Sequence, residues 1–264
     1  MQAMIFAAGK GTRLKPLTDI LPKALVPVGG KPLIQIVLER LVNAGADRVV
    51  VNVHHHAEQM KNMLRLLSLA FPCDIIVSDE SAELLETGGG IKKAAHLFRP
   101  DEPILIHNCD ILLSPNVDLG EFYRQCRRNG SDATLLVSER KTQRYLLFNE
   151  DMRLVGWTNI STGEVKSPHE YVAAMNGKTN VDWSSLNIRL YAFSGIHCLS
   201  PSLFGLMDDW PERFPIMDFY LKHCADVCIM GVTKQGMELL DVGKLDTLAN
   251  AESFISHHCY NDIV

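Results

Sequence analysis

Residues 4–18 of this chain read MIFAAGKGTRLKPLT, and residues 21–28 continue LPKALVPV. The run from Met4 to Ala8 is apolar and short, as in a buried strand, and it passes directly into a loop with glycines at 9 and 11. Backbone without a Cβ can lay its amides against phosphate oxygens. Thr12 adds a hydroxyl, Arg13 a planar fork matched to phosphate, and Lys23 a compact point charge. Between positions 9 and 31 stand Lys10, Arg13, Lys15, Lys23 and Lys31 against a single acid, Asp19, a surplus that suits a triphosphate. Two other phosphate loops do not fit. The dinucleotide fingerprint needs a third glycine where Leu14 stands, and an ATPase loop needs Ser or Thr after Gly30-Lys31, where Pro32 stands.

Outward from this stretch, the first half alternates strand and helix. Apolar spacing predicts a helix over 32–43, a β-branched strand over 48–53, a helix over 57–69, a strand over 74–77, a helix over 90–98 and a strand over 103–107 that runs into Asn108-Cys109-Asp110. Such alternation implies a mostly parallel sheet with helices on both faces, and ligands beyond the carboxyl ends of its strands. The second half reads as strands near 133–137, 144–148, 154–157, 188–193 and 227–232, some of them antiparallel, with a final helix over about 245–257. The polar stretch 158–187 reads as a long excursion or lid.

Composition narrows the class. The 264 residues carry a net charge of −5 and are 47% hydrophobic, as in an ordinary globular protein, and the charge argues against nucleic acid as the main partner. No apolar run reaches the roughly 20 residues that cross a bilayer, and the N-terminus lacks a basic leader, so no membrane association and no signal peptide is expected. Seven cysteines, at 73, 109, 126, 198, 224, 228 and 259, form no CxxC pair; reduced thiols in the cytoplasm are the simplest account. Cys224 and Cys228 are spaced as one turn at a helix end. His54-His55-His56 tempts a metal reading, but adjacent side chains at a strand end diverge, so a loop role is expected.

The segment from Gly9 to Thr18, with Pro22-Lys23 and Gly30-Lys31-Pro32, resembles the signature of the sugar-1-phosphate nucleotidyltransferases. The resemblance continues through Glu86-Thr87-Gly88-Gly89-Gly90, Asn108-Cys109-Asp110, Phe193-Ser194-Gly195-Ile196 and Asp241-Val242-Gly243, in family order. Within the family, the run over 85–91 is most similar to the N-acetylmuramic acid 1-phosphate uridylyltransferases, with mannose-1-phosphate guanylyltransferases as neighbours. The resemblance implies a Rossmann-like three-layer α/β sandwich with a mixed, mostly parallel central sheet. It implies one domain over 1–264, with a nucleotide-binding half (1–115), a sugar-binding half (116–264) and no C-terminal β-helix. The implied substrates are a nucleoside triphosphate, UTP or GTP, and a sugar 1-phosphate, handled by a monomer or homodimer.

By the same resemblance, Ala8, Gly9, Gly11, Thr12 and Arg13 hold the nucleotide's phosphates, and Glu86, Thr87 and Gly88 its base and ribose. Asn108 and Gly195 lie near the sugar, Arg13 and Lys23 are catalytic, and Asp110 and Asp241 hold Mg²⁺. Hard oxygen ligands suit that ion, and one or two carboxylates plus substrate phosphates usually suffice. A lone Asp after a strand is as readily a turn-former; it is the pair that points to a metal. Two departures stand out: Cys109 where glycine is common, and Lys244 where threonine often follows Asp-Val-Gly. The expected chemistry is in-line attack of a sugar phosphate on the α-phosphorus, which needs alignment and charge neutralisation but no general base. A metal-dependent glycosyltransferase would not need the loop at 9–23, and a non-catalytic nucleotide sensor would bind without turnover.

Overall fold

The computed structural model describes residues 1–258; Cys259 lies outside them. The first strand, β1 (Gln2–Phe6), leads through the glycine loop and a small pair, β2 (Pro27–Val28) and β3 (Lys31–Pro32), to α1 (Leu33–Asn43). Then follow β4 (Arg48–Val53), α2 (Ala57–Ala70), β5 (Asp74–Asp79), α3 (Glu86–Ala94) and β6 (Ile104–Asn108). The second half contains β7 (Ile111–Leu113), α4 (Leu119–Asn129), β8 (Ala133–Ser138), β9 (Arg144–Phe148), β10 (Leu154–Asn159), β11 (Glu164–Lys166) and α5 (Glu170–Ala173). It closes with β12 (Arg189–Leu199), α6 (Phe204–Met207), α7 (Ile216–His223), β13 (Ile229–Thr233), β14 (Leu239–Asp241) and α8 (Leu245–His257).

One sheet runs through both halves in the order β11-β10-β9-β12-β6-β1-β4-β5, with β8 pairing β12 and β13. Strands β6, β1, β4 and β5 are mutually parallel, as the strand-helix alternation requires. The long β12 is antiparallel to β6, β8 and β9 and joins the two halves. Its pairing with β8 shifts between Phe193 and His197, and Gly195 within that shift has φ +80°. The kink lets one strand serve three partners.

Two apolar layers hold the sheet. One packs α1, α2 and α4 through Val37, Leu41, Met60 and Phe122; the other packs α3 and α7 through Ile91, Phe214 and Phe219. Each fully buried side chain of this size contributes about 1.5–3 kcal/mol. Gln2 in the core is fully buried but satisfied: its amide donates to Arg99 O (2.9 Å) and Glu102 O (2.7 Å) and accepts from Arg99 N (2.7 Å).

Four expectations change. Helix α4 is unannounced by the apolar spacing, yet its caps are in the sequence: Asp118 accepts from Glu121 N (2.9 Å), and Gly130 is left-handed. Helix α3 begins four residues earlier than the spacing over 90–98 suggests, because its first turn is built from glycines packed on a neighbouring loop. The stretch 158–187 is not a free lid. Strand β11 pairs with β10, and Val165, Val172, Trp183 and Ile188 pack with Leu147 and Val155 into a small core. Helix α7 ends at His223, so Cys224 and Cys228 do not share a helix; Cys228 precedes β13. The six cysteines among the described residues are free, and no helix there is long and apolar enough to cross a membrane.

His107 on β6 and His197 on β12 are buried in the sheet. Burial pushes His107 down to about 4 and His197 down to about 3, so both are neutral near pH 7. Below the ordinary histidine value near 6.5 the unfolded chain takes up protons that the folded chain refuses, so this stability is complete above 6.5 and lost as pH falls through 4 and 3. The unfolding free energy, measured in urea, is expected to drop by on the order of 3 kcal/mol per histidine between pH 6.5 and 4. His197→Gln should remove roughly half of that pH dependence. An unchanged slope in the variant would show that the His197 ring does not titrate with unfolding.

Candidate active site

The connections diverge at β1: the chain leaves it toward β4 and β5 on one side and returns to pair β6 on the other, which opens a crevice at its carboxyl end. Phe6 is in register with Asn52 on β4 and Asn108 on β6, and all three line a cleft of about 620 Å³. The loop after β1 lines it with Ala8, Gly9, Lys10, Gly11, Thr12 and Arg13. Lys23, Glu86, Thr87, Cys109, Asp110 and Gly243 also line it. Arg13, Lys23 and Asp110 therefore share one cavity. The other two cations of the opening stretch are occupied elsewhere: Lys15 pairs with Asp19 (2.9 Å) and Lys31 with Glu39 (2.9 Å).

The loop's shape comes from Gly11. Its φ is +62°, and its carbonyl accepts from Leu14 N (2.8 Å) and Thr18 Oγ1 (2.8 Å), turning the chain into one 3-10 turn over Thr12–Leu14. A Cβ at Gly11 would lie 2.7 Å from Thr18 Cγ2. At Gly9 a Cβ would meet no protein atom, so the backbone there is bare toward the cleft.

Lys23 Nζ donates to Asp110 Oδ2 in a close ion pair, with only 11% and 18% of the two side chains exposed. Screening is weak in such a place, so each charge is held where an opposite partner is felt strongly. Cys109, beside Asp110, has its thiol pushed up to about 12, first by burial and then by the Asp110 charge. At physiological pH the thiol is therefore protonated and neutral.

Asp241 stands at the exposed end of β14, outside the cleft lining. Strand β14 pairs with β7 so that Asp241 faces Ile111, and Val242 N donates to Asp110 O (2.8 Å). A Cβ on Gly243 would lie 2.5 Å from Asp241 Oδ1 and 2.9 Å from Arg13 Nη2. Glycine at 243 thus lets the carboxylate and the guanidinium converge at the rim. Lys244 is exposed and stands at the N-cap of α8. Among the described residues no group of three or more His, Cys, Asp or Glu is arranged to hold a metal.

The run Glu86-Thr87-Gly88-Gly89-Gly90 divides. Glu86 and Thr87 line the cleft. Glu86 is left-handed (φ +62°) and accepts from Arg213 Nε (3.1 Å) and Nη2 (3.0 Å), while Thr87 Oγ1 accepts from Ile216 N (2.9 Å). Gly88, expected against the base and ribose, is instead buried under Phe214, whose carbonyl accepts its amide (2.8 Å). The space of a Cβ at Gly88 is filled by the Phe214 ring, at Gly89 by Glu212 O and at Gly90 by Glu80 Oε1. At these three positions the space a side chain would take is filled by neighbouring chain. Gly195 likewise lies outside the cleft lining, packed on the Asn108 side chain; a Cβ there would be 2.7 Å from Asn108 Nδ2.

Two site residues carry little sequence signal. Asn52 lines the cleft, accepts from Ala7 N (2.8 Å) and donates to Glu80 Oε1 (2.8 Å). Glu80 is fully buried and also accepts from Leu85 N (3.3 Å); burial raises its pKa. This chain of bonds ties the start of the glycine loop to the 80–86 wall. The lone amide near the end of an otherwise apolar β4 is the only hint of it. The three histidines diverge: His54 Nδ1 bonds Glu80 O (2.7 Å), His55 Nε2 bonds Thr18 O (3.0 Å), and His56 sits left-handed at the N-cap position of α2 with no side-chain cap bond. His54 and His55 brace the loops around the cleft, and none of the three lines it.

A glycine loop at the carboxyl end of a parallel strand, with cations and a carboxylate facing one crevice, defines a nucleotide-handling α/β protein. The family model for nucleotidyl transferases matches residues 2–147, and the chain belongs to that family. It is 47% identical over 109 residues to an N-acetylmuramate alpha-1-phosphate uridylyltransferase of Caulobacter vibrioides, covering 41% of this chain and 45% of that protein. It is 31% identical over 227 residues to a mannose-1-phosphate guanyltransferase of Pichia angusta, covering 82% of this chain and 56% of that one. The chain thus spans about half the length of these curated relatives. Its fold is shared with the inositol-1-phosphate CTP transferase from T. maritima (TM-score 0.70, 16% identity, 97% of this chain and 94% of that chain). It is shared also with HddC from Yersinia pseudotuberculosis complexed with GMP-PN (TM-score 0.69, 19% identity, 96% and 99%).

Gly11→Ala places a side chain in left-handed backbone and against Thr18. It is expected to destabilise the fold by about 2–3 kcal/mol, read as a lowered urea midpoint. Gly9→Ala, with open space and no positive φ, should cost under about 1 kcal/mol. Equal losses in the two variants would contradict the loop geometry.

Proposed function

We propose that the protein joins a nucleoside triphosphate to a sugar 1-phosphate and releases pyrophosphate. The observation that carries this reading is the convergence of Arg13, Lys23 and Asp110 on one cleft at the switch point of the sheet. Bare backbone at Gly9, the turn at Gly11 and the Thr12 hydroxyl receive the β- and γ-phosphates, and Arg13 offsets the charge that grows on the departing pyrophosphate.

A sugar phosphate oxygen forms a bond to the α-phosphorus while the bond from that phosphorus to the β-bridging oxygen breaks opposite it. The electron pair leaves with pyrophosphate. The nucleophile is already an anion, so no residue has to remove a proton, and alignment and charge do the work. Lys23 meets the α-phosphate. Its bond to Asp110 neutralises both groups, and a phosphate for the lysine and a cation for the carboxylate would replace that bond. The hard oxygens of Asp110 and Asp241, on chain segments joined by the Val242–Asp110 backbone bond, suit Mg²⁺. When bound, that ion would neutralise phosphate charge at the reacting centre. Asn52 holds the Ala7 amide and so fixes where the loop begins.

The substrate pair best supported is UTP with N-acetylmuramate 1-phosphate. The support is the likeness to the Caulobacter uridylyltransferase, together with the Leu85-Glu86-Thr87-Gly88-Gly89-Gly90-Ile91 run. GTP with mannose 1-phosphate is the second reading, carried by the longer match to the Pichia protein.

Pyrophosphate release is expected with one triphosphate and one sugar 1-phosphate in the presence of Mg²⁺, and loss of release on chelation. Lys23→Ala and Asp110→Ala should each lower turnover by about 10²–10³, with circular dichroism reporting whether the fold survives. Near-native turnover in either variant would remove the role assigned to that residue.

A further inference from the structure

Glu80 is fully buried, and the proposed reaction gives it no role. Both of its carboxylate oxygens face donors: Oε1 accepts from Asn52 Nδ2 (2.8 Å) and Oε2 from Leu85 N (3.3 Å). Its backbone is fixed as well. Glu80 N donates to Val53 O (2.8 Å), and Glu80 O accepts from Glu83 N (3.1 Å) and bonds His54 Nδ1 (2.7 Å). Among the described residues no cation pairs with the carboxylate; Lys93 Nζ donates to Asp79 O instead. Burial opposes such a charge and raises the pKa. An apolar side chain would fill the same space at lower cost. What it could not do is accept from two donors at once. Neither could glutamine, whose NH2 group would meet Asn52 Nδ2 or Leu85 N donor to donor.

The two donors belong to different walls of the cleft. Asn52 uses its other atom, Oδ1, to accept from Ala7 N (2.8 Å), where the phosphate loop begins. Leu85 stands at the start of α3, between Leu84 and Glu86, which line the cleft. Glu86 has φ +62°, a left-handed conformation that a glutamate keeps only where its surroundings hold it. The preceding residue is held at both ends, the Leu85 amide by Glu80 and the Leu85 carbonyl by Phe214 N (3.2 Å). Gly90 leaves room for the junction: a Cβ there would lie 2.8 Å from Glu80 Oε1 and 3.0 Å from Asn52 Nδ2. We propose that Glu80 is a positioning residue for the nucleotide: through Asn52 and Leu85 it makes the phosphate loop and the 84–87 wall one unit, so that the triphosphate end and the nucleoside end of a single ligand bind cooperatively. The proposal rests on the transferase reading above and deepens it to the way that site is held together.

Two substitutions load the junction in different ways. Glu80→Gln removes one acceptor. Gly90→Ala keeps every partner but forces the Glu80 and Asn52 side chains to shift, while alanine favours the helix. Pyrophosphate release is measured with UTP varied at saturating N-acetylmuramate 1-phosphate, then with the sugar varied at saturating UTP; GTP and mannose 1-phosphate replace them if the native protein uses that pair. Both variants should raise KM for the triphosphate by about tenfold or more, with KM for the sugar phosphate little changed. A fold merely loosened would lower kcat through the fraction of active protein and leave both KM values alone. An unchanged triphosphate KM, or equal rises in both KM values, overturns the proposal. Absence of release by the native protein with either pair overturns the transferase reading instead. Amide exchange in the native protein decides the coupling by itself, whether or not a variant folds. Inorganic triphosphate reaches only the loop, and it is expected to slow exchange at Leu85 as well as at Ala7. Protection confined to the loop, or none at all, ends the proposal.

Discussion

The parallel pairing of β1 on both edges is the constraint from which the site follows. Because Phe6 must register with Asn52 on one side and Asn108 on the other, the three strands end together. The loop after β1 has only the crevice beyond them to occupy. Gly11 then turns the chain under Thr18, and Lys23 returns to Asp110 at the end of β6. A shift of one residue in either pairing would exchange the faces of the strand and carry Ile5 out of the core.

Charge is distributed with the same economy. Lys15 and Lys31 have partners outside the cleft, Lys23 has one inside it, and Arg13 approaches Asp241 across the missing side chain of residue 243. The buried groups near them do not add charge: Cys109 is held protonated and His107 neutral by burial. The charged groups on the cleft lining are thus Lys10, Arg13, Lys23, Glu86 and Asp110. Glu80, with no solvent contact, orders two of the walls through Asn52 and Leu85.

Glycine has two different uses here, and sequence alone does not separate them. At 9 and 11 it leaves backbone open to the cleft and permits a left-handed turn. At 88, 89 and 90 it makes room for Phe214, Glu212 and Glu80, so a run that looks like a ligand loop is a packing surface between α3 and the segment before α7. Glu86 and Thr87 reach the cleft because those contacts hold the start of α3 in place.

The order of elements in the first half, the position of the glycine loop and the identities of Arg13, Lys23 and Asp110 were legible in the chain itself. Each depends on neighbours in sequence: apolar period, strand-end turn, and cations clustered within one short stretch. What required the folded chain is everything that joins distant segments. The three-partner role of β12, the packing of 158–187 against the sheet edge, the burial of Gly88 and the buried Glu80 all arise from pairings between residues far apart in sequence. Local patterns report which face of an element is apolar, whereas which element covers that face is decided only when the sheet closes and its buried polar groups find partners.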